Sequence, residues 1–232
     1  MKVIAVIVAA GEGLRIGGNV PKPYLPLVGR AMLLRTLDRV FGARNIEKVV
    51  LVIAASELSR CEGMLQGDSA LGQRPWVLQN GGATRQQSVK TGLEKIDGDT
   101  DIVVIHDAAR PFVSPALIER CIESADRNGA VVAGLPARDT IKIVSDDHRV
   151  LSTPDRKALW EIQTPQAFRR KLIVEAHQWA VRERFEATDD AILVERMGKP
   201  VWVIDGEKTN LKITMPEDLW LAEAMIREGR IS

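Results

Sequence analysis

The run from Val3 to Val8, continued by Ala9 and Ala10 and ending in Gly11, Gly13, Gly17 and Gly18, constrains the fold more than any other stretch of the chain. An uninterrupted apolar, β-branched segment of this length reads as a strand buried on both faces, the kind found inside a parallel sheet covered by helices. The glycines that follow let the backbone turn tightly and bring bare N–H groups against an anion. Arg15 and Lys22 add two positive charges to the same segment, which suits a ligand with several phosphates. The plainer alternative is a glycine-rich strand-to-helix turn carrying two solvated cations.

Spacing decides among phosphate loops. A dinucleotide fingerprint needs a third glycine where Ile16 stands and a helix where Pro21, Pro23 and Pro26 forbid a regular one. A Walker loop needs Gly-Lys followed by Ser or Thr, a tripeptide this sequence lacks. The remaining pattern, strand-A-A-G-x-G-x-R followed by P-K, resembles the signature of sugar-nucleotide-type nucleotidyltransferases.

With 232 residues, 45% hydrophobic and 27% charged, the chain suffices for one α/β domain with a sizeable core. Thirty-two basic residues against 31 acidic ones leave no global field for nucleic acid or a membrane surface, so phosphates must be met by a local cluster. Met1-Lys2 leads directly into the first strand and no apolar stretch reaches membrane-spanning length, so a cytoplasmic protein is expected. Cys61 and Cys121 lie far apart without metal-ligand spacing and read as buried thiols. His106, His148 and His177 offer no zinc site, falling at a strand end, in a turn and inside a helix.

Strand and helix patterns alternate along the chain. Leu33, Leu34, Leu37, Val40 and Phe41 recur at helical spacing before a second buried strand over 49–54. A helix around Leu58 to Leu65, a short strand from Trp76, a helix over 85–96 and a strand over 101–106 follow. Ser114-Pro115 is an N-cap and first-turn pair for a helix whose inner face is Leu117, Ile118, Cys121, Ile122 and Ala125. This alternation predicts a three-layer α/β sandwich on a mainly parallel sheet, as a single domain over 1–232. One segment departs from it: residues 140–152 alternate and turn at Ser145-Asp-Asp-His, which predicts a β-hairpin arm within about 137–157. A projecting hairpin needs a surface for its apolar face, either a partner chain or its own domain.

Other polar groups gather at strand ends. His106-Asp107-Ala-Ala-Arg110-Pro111 ends the 101–106 strand on the ligand-binding edge of an open α/β sheet. Asp107 suits a lone carboxylate ligand to Mg²⁺ or a turn-capping aspartate, and Arg110 suits a ligand anion or a structural ion pair. Gly81-Gly82-Ala83-Thr84-Arg85-Gln-Gln-Ser88 suits close approach of a flat base. Arg138-Asp139-Thr140-Ile-Lys142 and Arg156 flank the arm, followed by Gln163-Thr164-Pro165-Gln166, Thr188-Asp189-Asp190 and Asn210-Leu211-Lys212-Ile213-Thr214. The last is expected to end a strand before a helix with Pro216 in its first turn.

Taken in order, A-A-G-x-G-x-R, P-K, G-G-x-x-R-x-x-S-V, H-D-A-A-R-P, R-D-T-I-K, Q-T-P-Q, T-D-D and N-L-K-I-T run almost the length of the chain. The set resembles the 2-C-methyl-D-erythritol 4-phosphate cytidylyltransferases, which join CTP to methylerythritol phosphate in non-mevalonate isoprenoid biosynthesis. The resemblance implies that Arg15, Lys22 and Lys212 act on the reacting phosphates. It sets Ala9, Ala10, Gly11, Gly13, Gly82 and Ser88 around the nucleotide, and Asp107, Arg110, Thr164 and Thr188 around methylerythritol phosphate, with Asp107 beside Mg²⁺. It further implies a homodimer in which the arm brings Thr140 and Arg156 to the neighbour's substrate. Departures are Pro23 where glutamine is common, Ile16 for methionine, and Ala83 where some relatives carry an acid. Two other readings are a cytidylyltransferase for another polyol phosphate such as ribitol 5-phosphate and a non-catalytic nucleotide-binding module. The D-A-A-R and D-T-I-K forms favour methylerythritol phosphate over the first; Arg15, Lys22, Asp107 and Lys212 together argue against the second.

Overall fold

A computed structural model describes residues 1–11 and 20–231. The chain runs through β1 (Val3–Val8), β2 (Pro26–Leu27), β3 (Arg30–Ala31), α1 (Met32–Gly42), β4 (Ile46–Ile53), α2 (Leu58–Gly67), β5 (Trp76–Asn80), α3 (Arg85–Leu93) and β6 (Ile102–Asp107). It continues through α4 (Pro115–Asn128), β7 (Ala130–Pro136), β8 (Ile143–Val144), β9 (Val150–Ser152), β10 (Trp160–Arg169), α5 (Arg170–Glu183), α6 (Ala191–Arg196), β11 (Trp202–Asp205) and α7 (Pro216–Arg227). Among the described residues, seven strands form the main sheet in the order β11-β7-β10-β6-β1-β4-β5. β10 runs antiparallel to both of its neighbours, and the other pairings are parallel.

The period-2 geometry of a strand explains why β1 is apolar throughout. Val3, Ala5 and Ile7 enter the core beneath α1, α2 and α4, while Ile4 and Val6 enter the one beneath α3 and α5. Both faces are covered, as the continuous run predicts. Cys61 and Cys121 are free, buried thiols within the first of these cores. At Gly92 a Cβ would lie 2.6 Å from Val6 Cγ1 and 2.9 Å from Val52 Cγ2, so its absence lets α3 lie close on the sheet. Ser114 Oγ caps α4 by accepting from the Leu117 amide at 3.0 Å, with Pro115 in the first turn.

Three sequence expectations change. α3 ends at Leu93, short of 96. The 101–106 strand lies one residue later, so Asp107 is its last residue. Residues 210–214 form no strand; this segment is extended loop, tied by the Ile213 amide donating to Ala109 O at 2.8 Å. A third apolar cluster, with Leu27, Met32, Phe112, Ile213 and Ala222, holds that loop and α7 against the body. Asp218 in the first turn of α7 accepts from the Thr214 and Met215 amides at 2.7 and 2.8 Å, which fixes the loop's exit.

The arm is a hairpin of β8 and β9, with His148 at φ 63 in the turn. Ile143, Val150 and Leu151 are 51–56% exposed, so within one chain the arm does not bury its apolar side chains against its own domain. Among the described residues, no helix is long and apolar enough to cross a membrane.

Candidate active site

β1 and β6 are parallel and in register, Val8 opposite Asp107, so their loops leave the same edge of the sheet. The Ala108 amide donates to Val8 O at 3.0 Å, and the Gly81 amide beyond β5 donates to Ile53 O at 2.8 Å. A side chain at Gly81 would collide with Ala10, and one at Gly82 with Gln87, so bare backbone here lets the β5–α3 turn press against the opening loop. Ser88 Oγ then accepts from the Gly82 amide at 3.1 Å.

These loops enclose a cavity of about 290 Å³ lined by Ala9, Ala10, Gly11, Lys22, Gly82, Ser88, Asp107 and Lys212, among others. A neighbouring cavity of about 430 Å³ is lined by Arg110, Thr164 and Thr188, again with Asp107 and Lys212. The structure therefore gathers most of the expected site residues at one edge, in two groups that meet at Asp107. Arg15 and Gly13 lie outside the described residues. Thr140 and Arg156 line neither cavity; both are exposed on the arm, where Arg156 Nη1 donates to Arg138 O at 2.7 Å.

Asp107 is the electrostatic centre. Its Oδ2 meets Lys212 Nζ at 2.7 Å and its Oδ1 accepts from Arg85 Nε at 3.1 Å. Burial alone would raise this carboxyl, but Arg85 and Lys212 hold it far below the ordinary carboxylate range, so it is a fixed anion. Beside it, burial pushes the His106 imidazole down to about 4. The neutral ring donates from Nε2 to Arg110 O at 3.1 Å, so its Nδ1 accepts from Thr164 Oγ1 at 2.9 Å. Thr164 Oγ1 in turn accepts from the Asp107 amide at 3.1 Å. Thr164 is thus built into the backbone at Asp107 as well as lining the second cavity.

Arg110 Nη1 donates to Asn210 O at 2.8 Å, which ties the β6 loop to the loop that carries Lys212. The Asn210 amide group donates to Thr164 O at 2.8 Å and to Gln163 Oε1 at 3.2 Å. The position of Lys212 follows from these bonds and from the cap on α7.

Sequence reasoning gave no role to Arg85, Gln163, Asp190, His177 or Asn210. The G-G-x-x-R and T-D-D patterns did contain Arg85 and Asp190, but periodicity cannot show that residues 105 positions apart form a 2.7 Å ion pair.

As a cation site the edge is sparse. Among the described residues there is no group of three His, Cys, Asp or Glu able to hold a metal, and Asp107 is the one acidic residue lining the smaller cavity. A lone ionised carboxylate, here paired through Oδ1 with Arg85 and through Oδ2 with Lys212, is the kind of donor set that suits Mg²⁺, which takes its other ligands from phosphates and water.

The family model for 2-C-methyl-D-erythritol 4-phosphate cytidylyltransferase matches residues 3–228. The chain is 41% identical over 229 residues to the enzyme of that name from Caldanaerobacter subterraneus subsp. tengcongensis, covering 98% of this chain and 100% of the relative. It is 42% identical to the one from Syntrophus aciditrophicus, covering 99% of each. In structure it is similar to 4-diphosphocytidyl-2C-methyl-D-erythritol synthase from Anaerococcus prevotii, with TM-score 0.87 and 35% identity over 97% of this chain and 96% of that one. The cytidylyltransferase from Thermus thermophilus gives TM-score 0.79 at 38% identity, covering 98% of this chain and all of that one. A chain that carries this loop, this charged strand end and this likeness over nearly its whole length belongs to the 2-C-methyl-D-erythritol 4-phosphate cytidylyltransferase family, the cytidylyltransferases of isoprenoid biosynthesis.

Proposed function

We propose that CTP occupies the cavity lined by Ala9, Ala10, Gly11, Gly82 and Ser88, and methylerythritol phosphate the one lined by Arg110, Thr164 and Thr188. The observation that carries this reading is the shared wall: Asp107 and Lys212 line both cavities, so phosphates entering from either side meet there. Gly13 belongs to the same nucleotide loop. An oxygen of the methylerythritol phosphate attacks the α-phosphorus of CTP; the new O–P bond forms as the α–β anhydride breaks, and pyrophosphate departs with the bonding electrons. A phosphate monoester, with a second pKa of about 6, is largely a dianion at neutral pH, so no side chain has to act as base. The neighbouring His106 is consistent with that, since it is buried and both of its ring nitrogens are already bonded, Nε2 to Arg110 O and Nδ1 to Thr164 Oγ1.

Anion attacking anion is an electrostatic problem, and preorganised cations are its remedy. Lys22 and Lys212 take that role, with Arg15 from the opening loop. A divalent cation such as Mg²⁺ would be held by Asp107; when bound it neutralises charge on the triphosphate. The exposed apolar arm supports a homodimer, in which Thr140 and Arg156 serve the partner's acceptor cavity. Two free buried cysteines fit a reducing, cytoplasmic location.

Steady-state pyrophosphate release by Lys22→Ala and Lys212→Ala tests the assignment. Each should lower kcat by about 100-fold or more, the usual effect of losing one charge-stabilising contact, while the KM for CTP changes far less. Equal effects on kcat and on CTP binding would contradict a transition-state role.

A further inference from the structure

Arg85 stands beside Asp107 and Lys212 in the wall common to both cavities. Its guanidinium is already committed. Nε donates to Asp107 Oδ1 at 3.1 Å, and Nη1 donates to Asp190 Oδ2 at 2.7 Å. Behind it, Asp190 Oδ1 accepts from His177 Nε2 at 3.0 Å. The side chains of Asp190 and His177 are 1% and 3% exposed, and neither residue lines either of the two cavities. α3 supplies Arg85, Asp190 precedes α6, and α5 supplies the His177 that holds Asp190 from behind, so three elements are joined in one chain of bonds.

Stability does not explain such an arrangement. Withdrawing a carboxylate from water costs several kcal/mol unless it is paired, and apolar side chains of similar volume would fill the space as well. The effect of the pairing is geometric: the planar fork of an arginine fixed on both sides cannot swing. Asp107 then keeps one oxygen anchored whatever happens at the other. Its second oxygen holds Lys212, whose side chain is 41% exposed against 25% for Arg85.

We propose that Arg85, clamped by Asp190 and His177, is a positioning residue that anchors Asp107 through Oδ1, so that Lys212 is free to turn from Oδ2 to the phosphates. The proposal rests on the reading of the shared wall as the place where the phosphates meet. Without the clamp, Asp107 rotates with Lys212 and keeps it from the phosphates; Lys212 would then be present but withheld.

The test is steady-state kinetics on Arg85→Lys, Asp190→Asn and Asp107→Asn, and on each of the first two combined with Asp107→Asn. Arg85→Lys keeps the charge but loses the two-sided fork. Each of the first two variants should lower kcat about 10- to 100-fold, as misplacement of a reacting group does, with the KM for CTP within about twofold. In the Asp107→Asn background neither should lower kcat further by more than about twofold, because both act through that carboxylate. Unchanged kcat in Arg85→Lys, or losses that multiply in the Asp107→Asn background, would overturn the clamp while leaving the site reading intact. Unaltered turnover in Asp107→Asn alone would overturn the site reading and the clamp with it. Should Asp190→Asn fail to fold, Arg85→Lys decides.

Discussion

His106 shows how a single residue serves this site without touching the chemistry. Its imidazole is wholly buried between Thr164 and the Arg110 carbonyl, and burial lowers its pKa to about 4. The unfolded chain takes up that proton at an ordinary pKa of about 6.5, so it binds more protons than the folded chain between the two values. Stability from this group is therefore full above about pH 6.5 and lost as pH falls towards about 4, by roughly 3 kcal/mol in all. His106→Gln should flatten that part of the curve when urea midpoints are compared between about pH 4 and 7. An unchanged slope would show that other groups carry it. The sequence placed His106 at a strand end and excluded a zinc role, but nothing in it showed that the ring faces Thr164, 58 positions away. Residue identities were legible where local chemistry fixes them: Asp107 at a strand's end, glycines where backbones meet, a serine before a helix. The clamp on Arg85 was not, because its partners come from α5 and the residue before α6.

At the scale of elements, periodicity found most of the strands and helices because both sheet faces are covered and each helix buries one stripe. It failed at residues 210–214, whose apolar alternation reads as a strand. The loop's hydrogen bonds go instead to Ala109, Thr164 and Asp218, so the side chains and the cap on α7, not a neighbouring strand, satisfy it. The arm was legible as a hairpin, since alternation and a polar turn need no tertiary context. The residues alone left open what covers it, the family resemblance implied a second copy of the chain, and the exposure of Ile143, Val150 and Leu151 is in keeping with the proposed homodimer. Replacing two of them, Ile143→Asp with Leu151→Asp, should convert a dimer to a monomer in sedimentation without unfolding the domain. Turnover should fall with it if, as proposed, Thr140 and Arg156 serve the partner's acceptor cavity. A variant that stays dimeric and fully active would contradict this role for the arm.

For the molecule as a whole, the sheet order decides what is possible. Placing β1 in the middle, between β6 and β4, brings the opening loop, the Asp107 turn and the Gly81-Gly82 turn to one edge. Antiparallel β10 brings Thr164 into the same neighbourhood from the opposite direction. Two cavities on that edge share a charged wall, and the proposal puts the phosphates of the two substrates there. The most direct test measures pyrophosphate release by the protein with CTP and Mg²⁺, offering methylerythritol 4-phosphate and ribitol 5-phosphate in separate reactions. Release with methylerythritol 4-phosphate alone, abolished by EDTA and cut about 100-fold or more by Lys212→Ala, is the expected result. Release with ribitol 5-phosphate alone, or undiminished release by Lys212→Ala, would contradict it.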